Sequence, residues 1–152
     1  MYKTKLTYQR TDLGVATSAN TANAYTNIFV VTVPKGIQYR LYNDTPFIIK
    51  LYDSTGTQIA ASSKLLIGGQ KPGDRIPREL AEFDYRPFYT LSEAEQNNKN
   101  YQERTKVVIP VPVASFIQDE KIVIQLNSSS VVDWTQAATA FEFEVEELPY
   151  SS

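Results

Sequence analysis

Carboxylates are the residues of this 152-residue chain whose type and spacing come closest to a chemical site. Glu142, Glu144 and Glu146 recur at every second position, which places them on one face of a strand. Because glycoside hydrolysis needs only two suitably spaced carboxyl groups, composition alone does not exclude a glycosidase. Acids that alternate with Phe and Val are nevertheless more typical of a solvated strand face or a guarded sheet edge. We therefore expect no catalytic residues in this stretch.

Other catalytic and metal-binding arrangements lack their essential residues. The chain has no histidine and no cysteine, which excludes Ser-His-Asp and Cys-His nucleophiles, HExxH zinc sites and disulfides. The Gly-Gly-Gln-Lys segment at 68–71 is too short for a phosphate-binding loop and lacks a strand–turn–helix frame. The Asp-Ser-Thr-Gly-Thr segment at 53–57 lacks the further acids of a calcium loop, so a turn is the better interpretation. The sequence predicts no catalytic, cofactor-binding or metal-binding site.

Charge and hydropathy argue against two classes of partner. The formal net charge of −2 does not indicate a nucleic-acid binder or a membrane-surface binder. The first six residues lack the apolar run of a signal peptide, and no window approaches the length of a transmembrane segment. We expect one domain over residues 1–152, with neither a nucleic-acid nor a membrane partner.

Apolar runs of strand length organise the chain. Segments 28–33, 37–42 and 47–52 are rich in β-branched and aromatic residues and are separated by Pro-, Gly- and Asn-containing turns. This spacing predicts an antiparallel meander, followed by a short strand at 57–61. Further strand patterns lie at 2–9, 104–109, 121–126 and 140–147. The sequence thus predicts an all-β protein, an antiparallel β-sandwich or jelly roll of about eight strands.

Two long segments interrupt this regularity. Residues 11–25 are small, polar and aperiodic, which predicts a flexible segment: either a surface loop or an arm that lies on a neighbouring subunit. Residues 62–104 are expected to form one long, partly helical insertion. Its glycine pair at 68–69 indicates a loop, and short helices are predicted at 77–83 and near 92–95.

The insertion carries the richest candidate contact surface, Phe-Asp-Tyr-Arg-Pro-Phe-Tyr at 83–89. Aromatic residues and arginine dominate the binding energy of protein interfaces, and a proline lowers the ordering cost of the segment that carries it. An alternative is that the phenylalanines fold back over the core. The candidate partner-contact residues are Phe83, Tyr85, Arg86, Phe88 and Tyr89.

A charge pattern links the two ends of the chain. Lys3 and Lys5 lie on the outer face of the first predicted strand, and Glu142, Glu144 and Glu146 lie on the outer face of the last. Opposite charges that face each other across a strand pair stabilise it, whereas like charges repel. We therefore hypothesise that the two terminal strands are neighbours, either within one subunit or between two subunits.

Three segments carry a resemblance to a known class. The strand and Pro-Lys-Gly turn at 29–36, the Tyr-Arg-Leu-Tyr-Asn run at 39–43 and the Phe-Glu-Phe-Glu-Val strand at 141–145 resemble auxiliary virion proteins of tailed phages, the decoration or cement class. The resemblance implies a non-enzymatic homo-oligomeric subunit, assembled in the host cytoplasm. Such a subunit would become part of the virion by binding the major capsid protein or another virion protein. Two alternatives stay open: a single-jelly-roll capsid or spike subunit, and a carbohydrate-binding β-sandwich module.

Overall fold

The computed structural model describes residues 2–42, 45–59, 63–85, 106–108 and 113–151. Within these ranges the chain forms eleven β-strands and one short 3-10 helix. The elements are β1 (Tyr2–Thr7), η1 (Thr11–Leu13), β2 (Val15–Thr17), β3 (Thr26–Thr32), β4 (Ile37–Leu41), β5 (Pro46–Lys50), β6 (Lys64–Gln70), β7 (Arg78–Asp84), β8 (Lys106–Val108), β9 (Ala114–Phe116), β10 (Lys121–Asn127) and β11 (Ala140–Pro149).

The strands form two antiparallel sheets. The first sheet has the order β8-β5-β11-β4-β9, with β1 also paired to β11, and the second has the order β2-β3-β10-β6-β7. In the first sheet Glu146 pairs with Lys3 of β1 and with Arg40 of β4, so those two strands lie on opposite sides of β11. β5 pairs with the other half of β11, on the same side as β4. β4 and β5 therefore follow each other along β11 as one interrupted strand.

Strands β9 and β8 repeat this arrangement one position further out, β9 against β4 and β8 against β5. Counted along these interrupted paths, the described part of the first sheet has four strands, in the order β1, β11, β4–β5 and β9–β8. The chain crosses repeatedly between this sheet and β3, β10, β6 and β7 of the second. Two packed four-stranded sheets with such crossings form a jelly roll, to which β2 adds one short edge strand.

The core lies between the two sheets and is rich in stacked aromatic rings. Phe29 of the second sheet stacks on Phe141 of the first, with ring centroids 4.7 Å apart. Phe47 stacks on Phe143 within the first sheet at 4.8 Å. Stacked rings add stabilisation beyond the apolar area that they bury. The predicted alternation of β11 is confirmed on this face, because Phe141, Phe143 and Val145 are all buried.

The predicted meander is wrong. β3 belongs to the second sheet and pairs with β2 and β10, whereas β4 and β5 belong to the first sheet and flank β11. The turn at 34–36 carries the chain from one sheet to the other, and the positive φ of Gly36 (79°) serves this crossing and not a hairpin. Apolar periodicity predicts that a segment is a strand, but it does not identify the strand with which the segment pairs. Here β3, β4 and β5 each pair with a strand that is distant in sequence.

Residues 62–104 contain two predictions that the structure corrects. Residues 78–83 of the segment predicted as a helix at 77–83 lie in strand β7, which pairs with β6 and places Phe83 opposite the buried Leu65. The glycine pair predicted to mark a loop lies inside β6. A Cβ atom at Gly69 would lie 2.8 Å from Cε1 of Phe116, so the missing side chain makes room for a ring of the facing sheet. The helix predicted near 92–95 lies outside the described residues.

Of the segment predicted as a strand at 57–61, residues 57–59 are described, and they show one isolated bridge, between Gln58 and Tyr52. Residues 11–25 contain more order than their composition suggests. Within them η1 is followed by β2, which pairs antiparallel with β3 and buries Val15 against the core. β2 is thus ordered within a segment that was predicted to be flexible, because pairing with β3 supplies burial that small polar residues cannot provide for themselves.

Candidate assembly surfaces

The structure pairs the two terminal strands within one chain. β1 and β11 are antiparallel, with Lys3 opposite Glu146 and Lys5 opposite Glu144. The Lys5 ammonium lies 4.0 Å from the carboxylate of Glu142, the next acid along β11. The Lys5 side chain is exposed, so this ion pair contributes little on its own. The ion pair instead favours the observed register of β1 and β11, because a shift of one residue would turn every side chain of β1 to the opposite face of the sheet.

Glu146 differs from the solvated acid that the alternation predicts. It is only 8% exposed, and the hydroxyl of Tyr42 donates a hydrogen bond to its Oε2 at 2.9 Å. A guanidinium nitrogen of Arg40 lies 3.8 Å from its other carboxylate oxygen. Glu146 is thus a covered group held on the outer face of the first sheet, while Glu142 and Glu144 on the same face are half-buried.

The aromatic segment at 83–89 is only partly described. Tyr85 is 2% exposed and belongs to the core, where the Leu51 backbone N–H donates to its hydroxyl at 3.0 Å. Its ring is therefore not available as an exposed contact, and replacing it with alanine would disturb the fold. Phe83 is half-buried and packs against the core, as the alternative interpretation expected. Arg86, Phe88 and Tyr89 lie outside the described residues.

One end of the barrel carries a surface that the sequence did not single out. It is formed by three described loops at 18–25, 52–59 and 127–139, which we call the loop platform. Asn20 joins the first loop to the third: its Nδ2 donates to the Ser130 carbonyl at 2.9 Å, and its Oδ1 accepts from the Val132 N–H at 2.8 Å. The N–H of Asn23 donates to the Ser128 carbonyl. Two loops distant in sequence are therefore bound through paired, partly buried hydrogen bonds.

The third loop is also joined to the second and again to the first. The Asp133 N–H donates to the Tyr52 carbonyl at 2.8 Å, and Gln136 Nε2 donates to the Ser54 carbonyl at 2.9 Å. Trp134 donates its indole N–H to the Ser18 carbonyl at 2.8 Å. Its ring stacks on Tyr8, with centroids 5.8 Å apart. Because the indole is engaged in this way, it acts as a packing residue and not as an open stacking platform for a ligand.

The two acids of the loop platform each stabilise their own turn. Asp53 Oδ1 accepts from the hydroxyl and the N–H of Thr55, and Asp133 Oδ1 makes the same two contacts with Thr135. These hydrogen bonds favour the ionised carboxylates, so the threonine hydroxyls lower the pKa of both aspartates below the ordinary value of 3.8. The segment at 53–57 is thus a hydrogen-bonded turn, as the sequence predicted.

Sequence reasoning missed the loop platform because its hydrogen bonds join residues about a hundred positions apart. One signal was available in the composition of the three loops. In a chain with 21% charged residues, they contain Asp53 and Asp133 and no lysine, arginine or glutamate. Read together, such uncharged loops indicate a shared surface; read separately, each indicates only a turn.

Within the described ranges, no cluster of three or more acidic side chains is arranged to hold a metal ion. The described residues include no helix that is long and apolar enough to span a membrane.

The comparisons with known proteins agree with this architecture. A family model described as "Major capsid protein VP16-like" matches residues 26–146. A structure of the VP16-VP17 complex, a complex of the two major capsid proteins of bacteriophage P23-77, is similar over 98% of this chain and 99% of that one, with a TM-score of 0.57 and 6% identity. VP17, a capsid protein of the same phage, is similar over 97% of both chains, with a TM-score of 0.50 and 7% identity. No curated protein sequence matches the chain.

A jelly roll that a capsid family model matches over residues 26–146 defines a structural protein of a virus capsid. The family match runs from β3 to β11 and so covers most of the barrel. The chain belongs to the VP16-like major capsid protein family. The resemblance to decoration and cement proteins predicted the virion role, whereas the family description is that of a major capsid protein.

Proposed function

We propose that this chain is a shell-building capsid subunit of a phage, and not an auxiliary protein that coats a finished shell. The observation that carries the proposal is the match of the major capsid family model to residues 26–146. The structural similarity to capsid proteins of bacteriophage P23-77 over nearly the whole chain supports the same fold. The role is mechanical, because the subunit presents surfaces to its neighbours and carries out no reaction.

The subunit is expected to assemble with further copies of itself and with a second capsid protein. The similar phage structure is a complex of two major capsid proteins, which makes two kinds of chain in one shell the natural expectation. Specific protein interfaces bury about 800 Å² on each partner. A β-sandwich whose terminal strands are paired provides several such faces on a rigid body, so that many weak contacts add up over a repeating shell.

The carbohydrate-binding alternative gains no support from a particular site. Sugar recognition would use an exposed aromatic ring, but Trp134 is stacked on Tyr8 and donates its N–H to Ser18. The other aromatic side chains whose burial the structure describes are buried or half-buried.

The test is removal of the gene followed by electron microscopy of the particles that form. A shell-building subunit is essential, so we expect no closed shells, and complementation with the wild-type chain should restore them. Closed shells of normal size that lack only this protein would overturn the proposal and indicate a decoration subunit. Quantitative mass spectrometry of wild-type particles provides a second measure, because a shell-building subunit is among the most abundant chains of the particle.

A further inference from the structure

We infer that the loop platform is the surface through which this subunit docks onto a different virion protein, one that presents hydrogen-bonding groups and lysine or arginine side chains opposite Asp53 and Asp133. The inference deepens the proposed function and rests on it. Three observations carry it: the near absence of charge, the bonds that fix the loops, and the nature of the two charges that remain.

The near absence of charge is unusual for a surface that faces water. Solvent-facing surfaces of small domains carry roughly 25–35% charged residues, whereas interface cores are depleted of lysine, glutamate and aspartate. The three loops carry Asp53 and Asp133 alone, and their exposed positions include alanine, serine, threonine and the 43% exposed Val131. Such short side chains lose little conformational freedom when they are covered.

The bonds between the loops make the platform a preorganised surface. Asn20, Asp133, Trp134 and Gln136 join the three loops through side-chain and backbone hydrogen bonds of 2.8–2.9 Å. A surface that is already ordered does not incur the entropy cost of ordering its loops when it binds. Short uncharged polar residues on fixed loops are also the composition that antibodies use to bind protein surfaces.

The two remaining charges indicate the kind of partner. Asp53 and Asp133 each use one carboxylate oxygen, Oδ1, within their own turns. Two copies that met platform to platform would bring four carboxylates together, and neither platform would supply a cation. Like charges placed in contact are unfavourable. A different protein with lysine or arginine at matching positions avoids this repulsion, so such a protein fits the surface better than the loop platform of a second copy.

The first experiment compares two exposed aliphatic residues at opposite ends of the barrel. Val131 lies on the loop platform, and Ile76, which is 77% exposed, lies in the β6–β7 turn away from it. Val131→Lys and Ile76→Lys are each co-expressed with an equal amount of wild-type chain, and the ratio in purified particles is measured by mass spectrometry. A lysine buried in the interface without a partner should deplete Val131→Lys by about tenfold or more, whereas Ile76→Lys should enter normally.

The second experiment identifies the partner directly. A photo-crosslinking amino acid is placed at position 131, or at position 76 as the control, and purified particles are irradiated. A crosslink from position 131 to a different virion protein, absent from the control, supports the inference. A crosslink to another copy of this chain overturns it. If Val131→Lys does not match the wild-type melting temperature, Ser129→Lys replaces it, since Ser129 is also exposed on the same loop.

The outcomes separate this inference from the proposed function. Wild-type chain missing from purified shells would refute the shell-building role itself. Wild-type chain present, with both lysine variants incorporated equally, would refute the docking role of the loop platform alone. A third outcome would also refute the docking role and would assign the loop platform to glycan recognition. In that outcome both lysine variants enter particles equally, and wild-type particles bind a neutral glycan array whereas Val131→Lys particles do not.

Discussion

Asn20 is the residue through which the loop platform can be tested most sharply. It is 4% exposed, and its amide group forms one hydrogen bond to the Val132 N–H and one to the Ser130 carbonyl. Asn20→Ala removes both partners and leaves the two backbone groups behind. A buried polar group left unsatisfied costs about 1–3 kcal/mol. The hydrogen bond from the Val132 N–H is buried, whereas the hydrogen bond to the Ser130 carbonyl is only part-buried. Water can therefore satisfy the Ser130 carbonyl more easily than the Val132 N–H in the variant.

We therefore expect Asn20→Ala to lower the free energy of unfolding by about 2–4 kcal/mol. For a domain of this size, 1 kcal/mol corresponds to roughly 2–4 °C in melting temperature, so the loss should be roughly 5–15 °C. Thermal and urea unfolding, followed by circular dichroism, measure both quantities. The matched control is Asn27→Ala, which removes an exposed hydrogen bond from the Gln125 side chain and should cost under about 0.5 kcal/mol.

Asn20→Asp adds a pH dependence with a defined sign. A carboxylate accepts from the Val132 N–H but cannot donate to the Ser130 carbonyl, so burial and the facing carbonyl favour the protonated acid and raise its pKa in the folded state. The stability of this variant should be highest below the unfolded pKa of about 3.9 and should fall as the pH rises through the higher folded value. Equal stability of Asn20→Ala and Asn27→Ala, or an Asn20→Asp variant that follows the wild-type pH profile, would refute the role given to this amide.

Three further predictions follow from the described contacts. Tyr85→Phe leaves the buried Leu51 N–H without its hydroxyl acceptor and should cost about 1–3 kcal/mol in urea unfolding; a change within error would show that water replaces the hydroxyl. Lys5→Glu places like charges opposite Glu144 and should lower the free energy of unfolding by about 0.2–1 kcal/mol at low salt. Adding Glu144→Lys should recover this stability, and equal stability of the wild type and both variants would show that the exposed pair contributes nothing. The pKa of the Asp53 carboxyl should be below 3.8 when it is measured by carbon-detected NMR, and Thr55→Ala should return this pKa toward 3.8. The stability that the ionised carboxylate contributes above pH 3.8 should be lost as the pH falls through the lowered folded pKa.

Local pattern was sufficient to predict most of the strands. Apolar alternation marked β1, β4 and β11, because the two faces of a strand between core and solvent differ in polarity at every step, whereas continuous apolar runs marked β3 and β10. The charges of Lys3 and Lys5 and of the β11 glutamates suggested that the chain ends lie together, and the structure pairs β1 with β11. The absence of histidine and cysteine narrowed the possible chemistry before any fold was considered.

Local pattern failed where a distant partner overrides local preference. The segment at 77–83 has a proline start and helix-favouring residues, yet β6 offers it a strand partner. Glycine at position 69 is typical of a loop in the sequence, but in the structure it lies in a strand, where the ring of Phe116 from the facing sheet occupies the space of a side chain. Tyr85 is a residue type that is common at interfaces, and only the folded structure shows that it is buried in the core and accepts a hydrogen bond from the Leu51 N–H.

The all-β class and the positions of the alternating strands β1, β4 and β11 were contained in the order of the residues, because backbone geometry imposes a period of two on any half-buried strand. Sheet membership and the loop platform were not, because both arise from contacts between segments far apart along the chain. The hydrogen bonds of Asn20 and Trp134 span more than a hundred residues, and only the folded jelly roll brings them within reach.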